Sequence, residues 1–450
     1  MTLHQALHRV TFDSLPIELQ DEIFFICTSP FPRFSVKEAP IVLARVCRAW
    51  RSIVLSTPRL WSSFDVEIQG SDASGLLHDD RLMHRMKLWL ERSRSCPLSV
   101  RLTYNPVGRV SDDRSTKLLI ALAPEVRRWQ RAHFALPAAS ITELRHLPSN
   151  SFPTLRSLTL RVTGVRSDPA LDIFALNIPW GQLTYVDLQL EPGNLPTLDE
   201  TLDILSRTVN LKHGTLKLEC TWSRRDIQRD KLSLPTLETF QLILQNSSTA
   251  ADRSAVCLAQ FLNLLYLPKL RMLSLGWLVR SNVGSWSLAH AGFLAFLRAS
   301  AETLRELRMT YFPIPENELR ECFLQLPQLT HLDLRFALHE GANDPITNRL
   351  LVECTIPSST VPHSETPLLP RLEHVNLQCH GALYTDATLL GFIQSRWECG
   401  MSTHEGQGAR RSLRYFRLLS MKPISSGVEK HAEVWHEEGL DIDIQSLVVR

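Results

Sequence analysis

The chain has 450 residues, 44% of them hydrophobic and 21% charged, and a formal net charge of +2. It can bury a large core, which excludes a disordered chain, and its charge is too balanced to hold nucleic acid or an acidic membrane by bulk electrostatics. Its length suits a repeat array with a small added module better than one globular domain. Nine scattered cysteines without a Cys-x-x-Cys imply free thiols in a reducing compartment rather than a disulfide framework. No apolar run is long enough to span a bilayer. The first residues lack the apolar core of a signal peptide, so the expected location is cytoplasmic or nuclear.

Residues 1–11 read as a loose leader. A helix is expected from Asp13 to Cys27. Asp13 or Ser14 would cap it, Pro16 fits its first turn, and Glu18, Asp21 and Glu22 suit its positive end. Leu15, Leu19, Ile23 and Ile26 fall on one face, and Thr28–Phe34 breaks the helix. A second helix is expected to start between Ser35 and Pro40, to carry Leu43, Val46, Cys47 and Trp50 at i, i+3, i+4, i+7, and to end at Pro58. So short a segment buries little surface alone, which leaves part of its apolar face for a partner.

The order Leu15-Pro16-Ile17-Glu18-Leu19, Ile23-Phe24, Leu43, Val46-Cys47, Trp50 and Thr57-Pro58-Arg59-Leu60-Trp61 resembles the F-box motif. The chain is similar to the F-box-plus-repeat proteins abundant in mushroom-forming fungi, although the insert around Thr28–Glu38 is longer than a typical F-box turn. What the resemblance implies is a helical docking module, residues 12–64, for the Skp adaptor of an SCF-type cullin–RING ubiquitin ligase. Leu15, Pro16, Leu19, Ile23, Phe24, Leu43, Val46, Cys47 and Trp50 would then lie at or near the adaptor groove. The alternative is that these residues pack only on one another and on the array. Arg45, Arg48 and Arg51 read as a solvated basic face or as partners of an acidic adaptor.

Residues 65–96 read as a joint. A Gly/Ser loop at Gln69–Gly75 leads to a helix over Asp79–Arg94, with Leu82, Met86, Trp89 and Leu90 on one side. That helix would cover the open end of an array.

Residues 97–450 carry a recurring figure, an apolar clamp followed by apolar residues three and five positions on. Clear copies begin at Leu155, Leu183, Leu237, Leu270, Leu304, Leu329, Leu372 and Leu413; Leu211 begins a weaker one, and Pro97 and Trp129 are candidate earlier ones. The alternation describes a short strand with one buried face. Helical stretches stand between: Ala255–Leu267, Leu288–Leu297, Glu316–Leu326 and Thr385–Trp397. A strand–helix unit cannot bury both elements alone, but stacked units can. The pattern resembles the leucine-rich repeat solenoid, parallel strands inside and helices outside, so the expected class is α/β with a small all-α head. The inserts Ala337–Leu369 and His380–Arg411 read as surface loops or as lids, and Asp441–Val449 as a strand that caps the C-terminal edge.

No phosphate-binding, zinc-protease or nucleophile-elbow motif occurs, and Cys379-His380 has no spaced partners for a metal. The expectation is a protein that is not an enzyme and needs no cofactor. Its substrate would be a protein, held on the exposed side of the strands, where aromatic, basic, acidic and amide groups mix. Within that surface Tyr185, Asp187, His213, Gln241, Arg308, His331, Asp333, Arg335, Asn376 and Arg417 are the residues singled out. The two functions that fit are a substrate receptor of an SCF-type ligase and a repeat scaffold or inhibitor that acts without one. A hydrolase with an unrecognised site is a weaker third.

Overall fold

The computed structural model describes residues 12–69, 76–105, 113–148, 150–162, 171–191, 195–223, 230–246, 253–277, 286–338, 344–357, 367–398 and 413–447. The leader at 1–11 and most of the loop at 69–75 lie outside them. The chain divides into two compact units, Met1–Asn194 and Leu195–Arg450.

The first unit opens with α1 (Ile17–Ile26) and α2 (Arg48–Ser56). It continues with β1 (Ser63–Gln69), α3 (Leu76–Ser93), β2 (Leu98–Asn105), α4 (Arg114–Leu122), β3 (Trp129–Leu136), α5 (Ala138–Thr142), β4 (Ser157–Val162) and β5 (Tyr185–Gln189). The five strands are parallel and lie side by side in chain order.

The second unit runs α6 (Leu198–Arg207), β6 (His213–Glu219), β7 (Leu232–Ser233), β8 (Thr239–Gln245), α7 (Ser254–Asn263), β9 (Leu265–Tyr266), β10 (Met272–Trp277), α8 (Ser287–Ser300), β11 (Glu306–Thr310), α9 (Glu316–Leu324), β12 (His331–Arg335), α10 (Asn348–Glu353), β13 (His374–Cys379), α11 (Asp386–Glu398), β14 (Tyr415–Ser420), α12 (Ser426–Glu437) and β15 (Asp441–Ser446). β7 and β9 pair with each other, and the other strands again lie in chain order, parallel throughout. Successive helices pack on one another, α7 on α8, α8 on α9, α10 on α11 and α11 on α12. The result is a solenoid-like α/β arrangement.

The reason for this fold is the two-residue period of a strand. Each clamp leucine and the residues three and five positions on point inward and are buried, as with Leu329, Leu332 and Leu334. The weak copy keeps the geometry with Gly214 on the inner row. A Cβ there would meet Leu211 at 3.2 Å, so the leucine fills the room a side chain would take. The earlier candidate copies at Pro97 and Trp129 are β2 and β3. At the far end Gly439, at φ +100°, turns α12 into β15, with the Leu440 N–H on the Trp435 carbonyl at 2.9 Å.

Four expectations change. The parallel strands start at Ser63 rather than near residue 97, because Trp61, Phe64 and Val66 repeat the figure with aromatic residues and all three are buried. α1 starts at Ile17 with Pro16 at its N-cap. Asp13 and Ser14 lie in a separate 3-10 turn, where Phe12 stacks on Phe24 with centroids 5.2 Å apart. The second helix starts only at Arg48. Cys47 is extended, and its sulfur accepts the Trp50 N–H at 3.4 Å, so Leu43 sits in a preceding 3-10 turn that Val46 caps, and the expected i to i+7 face is broken. α12 was not foreseen.

The fourth change concerns the inserts, whose described parts are packed rather than loop-like. Ile346, Leu350, Leu351 and Cys354 are buried. Asn348 accepts the Thr385 N–H at 2.8 Å, and Asp344 accepts the Gly381 N–H at 2.9 Å. Arg396 of α11 is fully buried and donates to the carbonyls of Cys354, Leu368 and Leu369 at 2.5–3.0 Å. One guanidinium thus ties the two inserts together.

Urea unfolding should show Leu329→Ala losing about 2–5 kcal/mol through its cavity, and Gln241→Ala, on the outer row, staying within about 0.5 kcal/mol. Arg396→Met should cost at least about 3 kcal/mol by leaving buried carbonyls unpaired, with faster amide exchange across 344–357.

Candidate protein-binding surfaces

The head is built round three rings. Phe12, Phe24 and Trp50 lie with centroids 4.9–5.2 Å apart. Phe24 is buried, and so is Gln20, which donates to the Leu15 carbonyl at 2.7 Å. Thr57 ties the end of α2 to α1 by donating to Asp21 at 2.8 Å. This packing turns the other face of α1 outward. Leu19, Ile23 and Ile26, at i, i+4 and i+7, are 51%, 39% and 74% exposed, and Ile17 and Phe25 are exposed as well. Outside α1, Val42 and Val46 are exposed.

Of the nine residues assigned to the adaptor groove, Phe24 therefore faces the core. Leu15, Leu43 and Trp50 are half-buried, and Pro16, Leu19, Ile23, Val46 and Cys47 face out. Arg45, Arg48 and Arg51 are exposed too.

The insert at 28–38 fastens the head to the strands of the same unit. Asp65 of β1 donates its N–H to the Pro32 carbonyl at 2.8 Å, and Arg33 forms a bridge with Asp65. Phe34 packs on Trp89 and Phe64 at 4.8 and 5.6 Å. Phe31 lies beneath two guanidiniums of the outer face, Arg101 at 4.2 Å and Arg131 at 5.1 Å. Beside them burial pushes the His133 pKa down to about 4, with Arg101 and Arg161 adding to the effect and Asp187 opposing it. Asp187 is buried and bound to Arg161 at 2.9 Å, which leaves Tyr185 as the exposed member of the singled-out pair in this unit.

The other eight singled-out residues lie in the second unit, and in-register pairing places them in rows. Glu306, His331, His374 and Tyr415 form one row. Arg308, Asp333, Asn376, Arg417 and Asp443 form the next. A shallow depression of about 370 Å³ opens over the first row and over Arg308, Asp333 and Asn376 of the second, with Arg335 also in its lining; Arg417 and Asp443 lie outside it. The His331 and His374 rings stack at 4.0 Å, 6° from parallel, and Tyr415 follows at 6.2 Å. Burial holds the His374 pKa below the usual imidazole range, helped by His331.

The charges on this floor are internally paired: Arg335 with Asp333 at 2.8–2.9 Å, and Arg308 with Glu306 at 2.5–2.6 Å. The surface is thus close to neutral, shallow and rich in hydrogen-bonding groups, which suits a polypeptide better than an isolated ion. His213 and Gln241 lie further back, on β6 and β8, outside the depression; His213 meets Thr239 at 2.9 Å.

His374, Tyr415 and Glu306 are the residues the ten omit. Their signal was a shared one: each holds the same position in its copy as His331, and equal positions become neighbours under in-register pairing.

Among the described residues no group of three or more His, Cys, Asp or Glu is placed to hold a metal ion, the eight described cysteines are free thiols, and no helix is long and apolar enough to cross a membrane. Neither known protein-family models nor curated proteins give a match to the chain.

His133 makes acid stability testable. Its pKa is depressed by folding, so the unfolded chain takes up a proton first and the histidine's contribution is lost as pH falls from about 6.5. His133→Gln should therefore flatten part of the fall in Tm between pH 7 and 4, measured against the parent protein.

Proposed function

We propose that this chain is the substrate-recognition subunit of an SCF-type cullin–RING ubiquitin ligase. Residues 12–64 would serve as its F-box and the strand array as a degenerate leucine-rich repeat. The observation that carries this reading is the outward apolar face of α1. Leu19, Ile23 and Ile26 form a continuous stripe on a helix whose other side already has a core, and a surface helix exposing so much apolar area is poised for a partner. The resemblance of Leu15-Pro16-Ile17-Glu18-Leu19 to the F-box motif supports a Skp-type adaptor as that partner.

Supporting the receptor role, the outer rows of β11–β14 offer a peptide flat rings to stack on and paired arginines at the rim. The chain supplies no chemistry of its own in this reading; ubiquitin transfer belongs to other subunits. The protein substrate would lie across His331, His374 and Tyr415.

Co-purification with a Skp-type adaptor tests the docking step. The parent protein should bind. The double variant Leu19→Asp, Ile23→Asp should bind more than a hundredfold more weakly, since each buried aliphatic side chain contributes about 1.5–3 kcal/mol. Both positions are exposed, so circular dichroism and Tm should not change. A folded parent protein that ignores the adaptor would sink the ligase reading and leave the repeat scaffold.

A further inference from the structure

A second concavity, of about 320 Å³, lies away from the outer rows, just before the strands begin, and is lined by Glu238, Lys269, Arg271, Thr303 and Arg305. Backbone pairing explains why these groups meet. The Arg271 N–H bonds to the Glu238 carbonyl and the Arg305 N–H to the Arg271 carbonyl, both at 2.8 Å. Glu238, Arg271 and Arg305 are therefore consecutive rungs, spaced by the interstrand distance of about 4.8 Å. Lys269 and Thr303 come from the turns two residues earlier.

The charges here are not internally balanced. Three cations face one carboxylate, an excess of two positive charges (three minus one). Among the described residues Lys269 and Arg271 make no side-chain hydrogen bond or ion pair. Arg305 uses one terminal nitrogen on the carbonyls of Glu302 and Leu304, at 2.9 and 3.1 Å. The same row resolves its charges elsewhere, where Arg414 pairs with Glu373 at 3.3 Å. Guanidiniums on neighbouring rungs repel one another, and Glu238 is the single carboxylate in the lining to offset three cations.

We propose that this pocket binds a small soluble anion of the pyrophosphate class, with two linked phosphoryl centres. A single centre can satisfy one rung, whereas two can span Arg271 and Arg305 while Lys269 closes the third side. Arginine forks suit phosphoryl oxygens, and Thr303 offers a hydroxyl. Glu238 opposes any anion and so sets the affinity low. This inference is independent of the ligase reading, because it uses neither the head nor the outer rows.

Isothermal titration calorimetry on the full chain at low ionic strength, with inorganic pyrophosphate and inorganic phosphate as probes, tests it. Pyrophosphate should bind saturably at one site and at least tenfold more tightly than phosphate. Arg271→Gln and Lys269→Gln should each weaken it roughly tenfold or more, the scale of one charge-assisted contact. Glu238→Gln should tighten it. All three substitutions lie outside the hydrophobic core, and an unchanged Tm without ligand confirms folding. No saturable heat, equal binding of phosphate, or equal affinity in Arg271→Gln would overturn the proposal.

Discussion

Hydrogen bonding between parallel strands, in register save for one shift between β2 and β3 at Leu98/Ser99, determines which residue of one copy lies beside which residue of the next. The buried spine and the outer rows of the two units follow from that pairing. Because Leu307, Leu332, Val375 and Phe416 share a row, the interior becomes a continuous apolar spine. Because Glu306, His331, His374 and Tyr415 share the adjacent row, the surface becomes a stack of rings. A slip of one residue in any strand would move its leucines to solvent and its polar groups into the core. The clamp residues prevent that slip by burying one further apolar side chain at the start of each strand.

Where the copies depart from regularity, single side chains restore closure. The longest interval, from Leu329 to Leu372, inserts α10 between β12 and β13, and Arg396 holds that segment by donating to the carbonyls of Cys354, Leu368 and Leu369, of which Leu369 also accepts the Leu372 N–H. The insert at 28–38 works in a comparable way at the other end. Phe31 and Phe34 anchor the head on the first strands, so the insert between the two helices of the head is the segment that joins the head to the strands of its unit.

The two outer faces contrast electrically. On β11 and β12 arginines are matched with carboxylates two residues away on the same strand, and Arg417 of β14 with Asp443 of the neighbouring β15, which leaves a nearly neutral floor with stacking groups. At the strand starts Lys269, Arg271 and Arg305 form no ion pair among the described residues, and three cations stand beside one carboxylate, Glu238. A polypeptide and a small polyanion would each find one of these surfaces suitable and not the other.

Much of this was legible in the residues. Period-two alternation after a clamp leucine located β4 and β5 in the first unit and β6, β8 and β10–β14 in the second, because the alternation is a property of the pleated backbone itself. β1 escaped because its figure is written in Trp61 and Phe64 rather than leucine. The helical face of the head was read at the correct spacing, yet spacing cannot say which side of a helix is inward. Phe12, twelve residues before Phe24, drew Phe24 and Trp50 into a core and so turned Leu19, Ile23 and Ile26 outward. By itself, then, the sequence determined most of the strands, their order and the buried spine, all set by local periodicity. The tertiary structure alone decided which face of α1 was left open, that the inserts grip each other through Arg396, and that cations far apart in sequence meet in one pocket, since those outcomes depend on contacts between residues tens of positions apart.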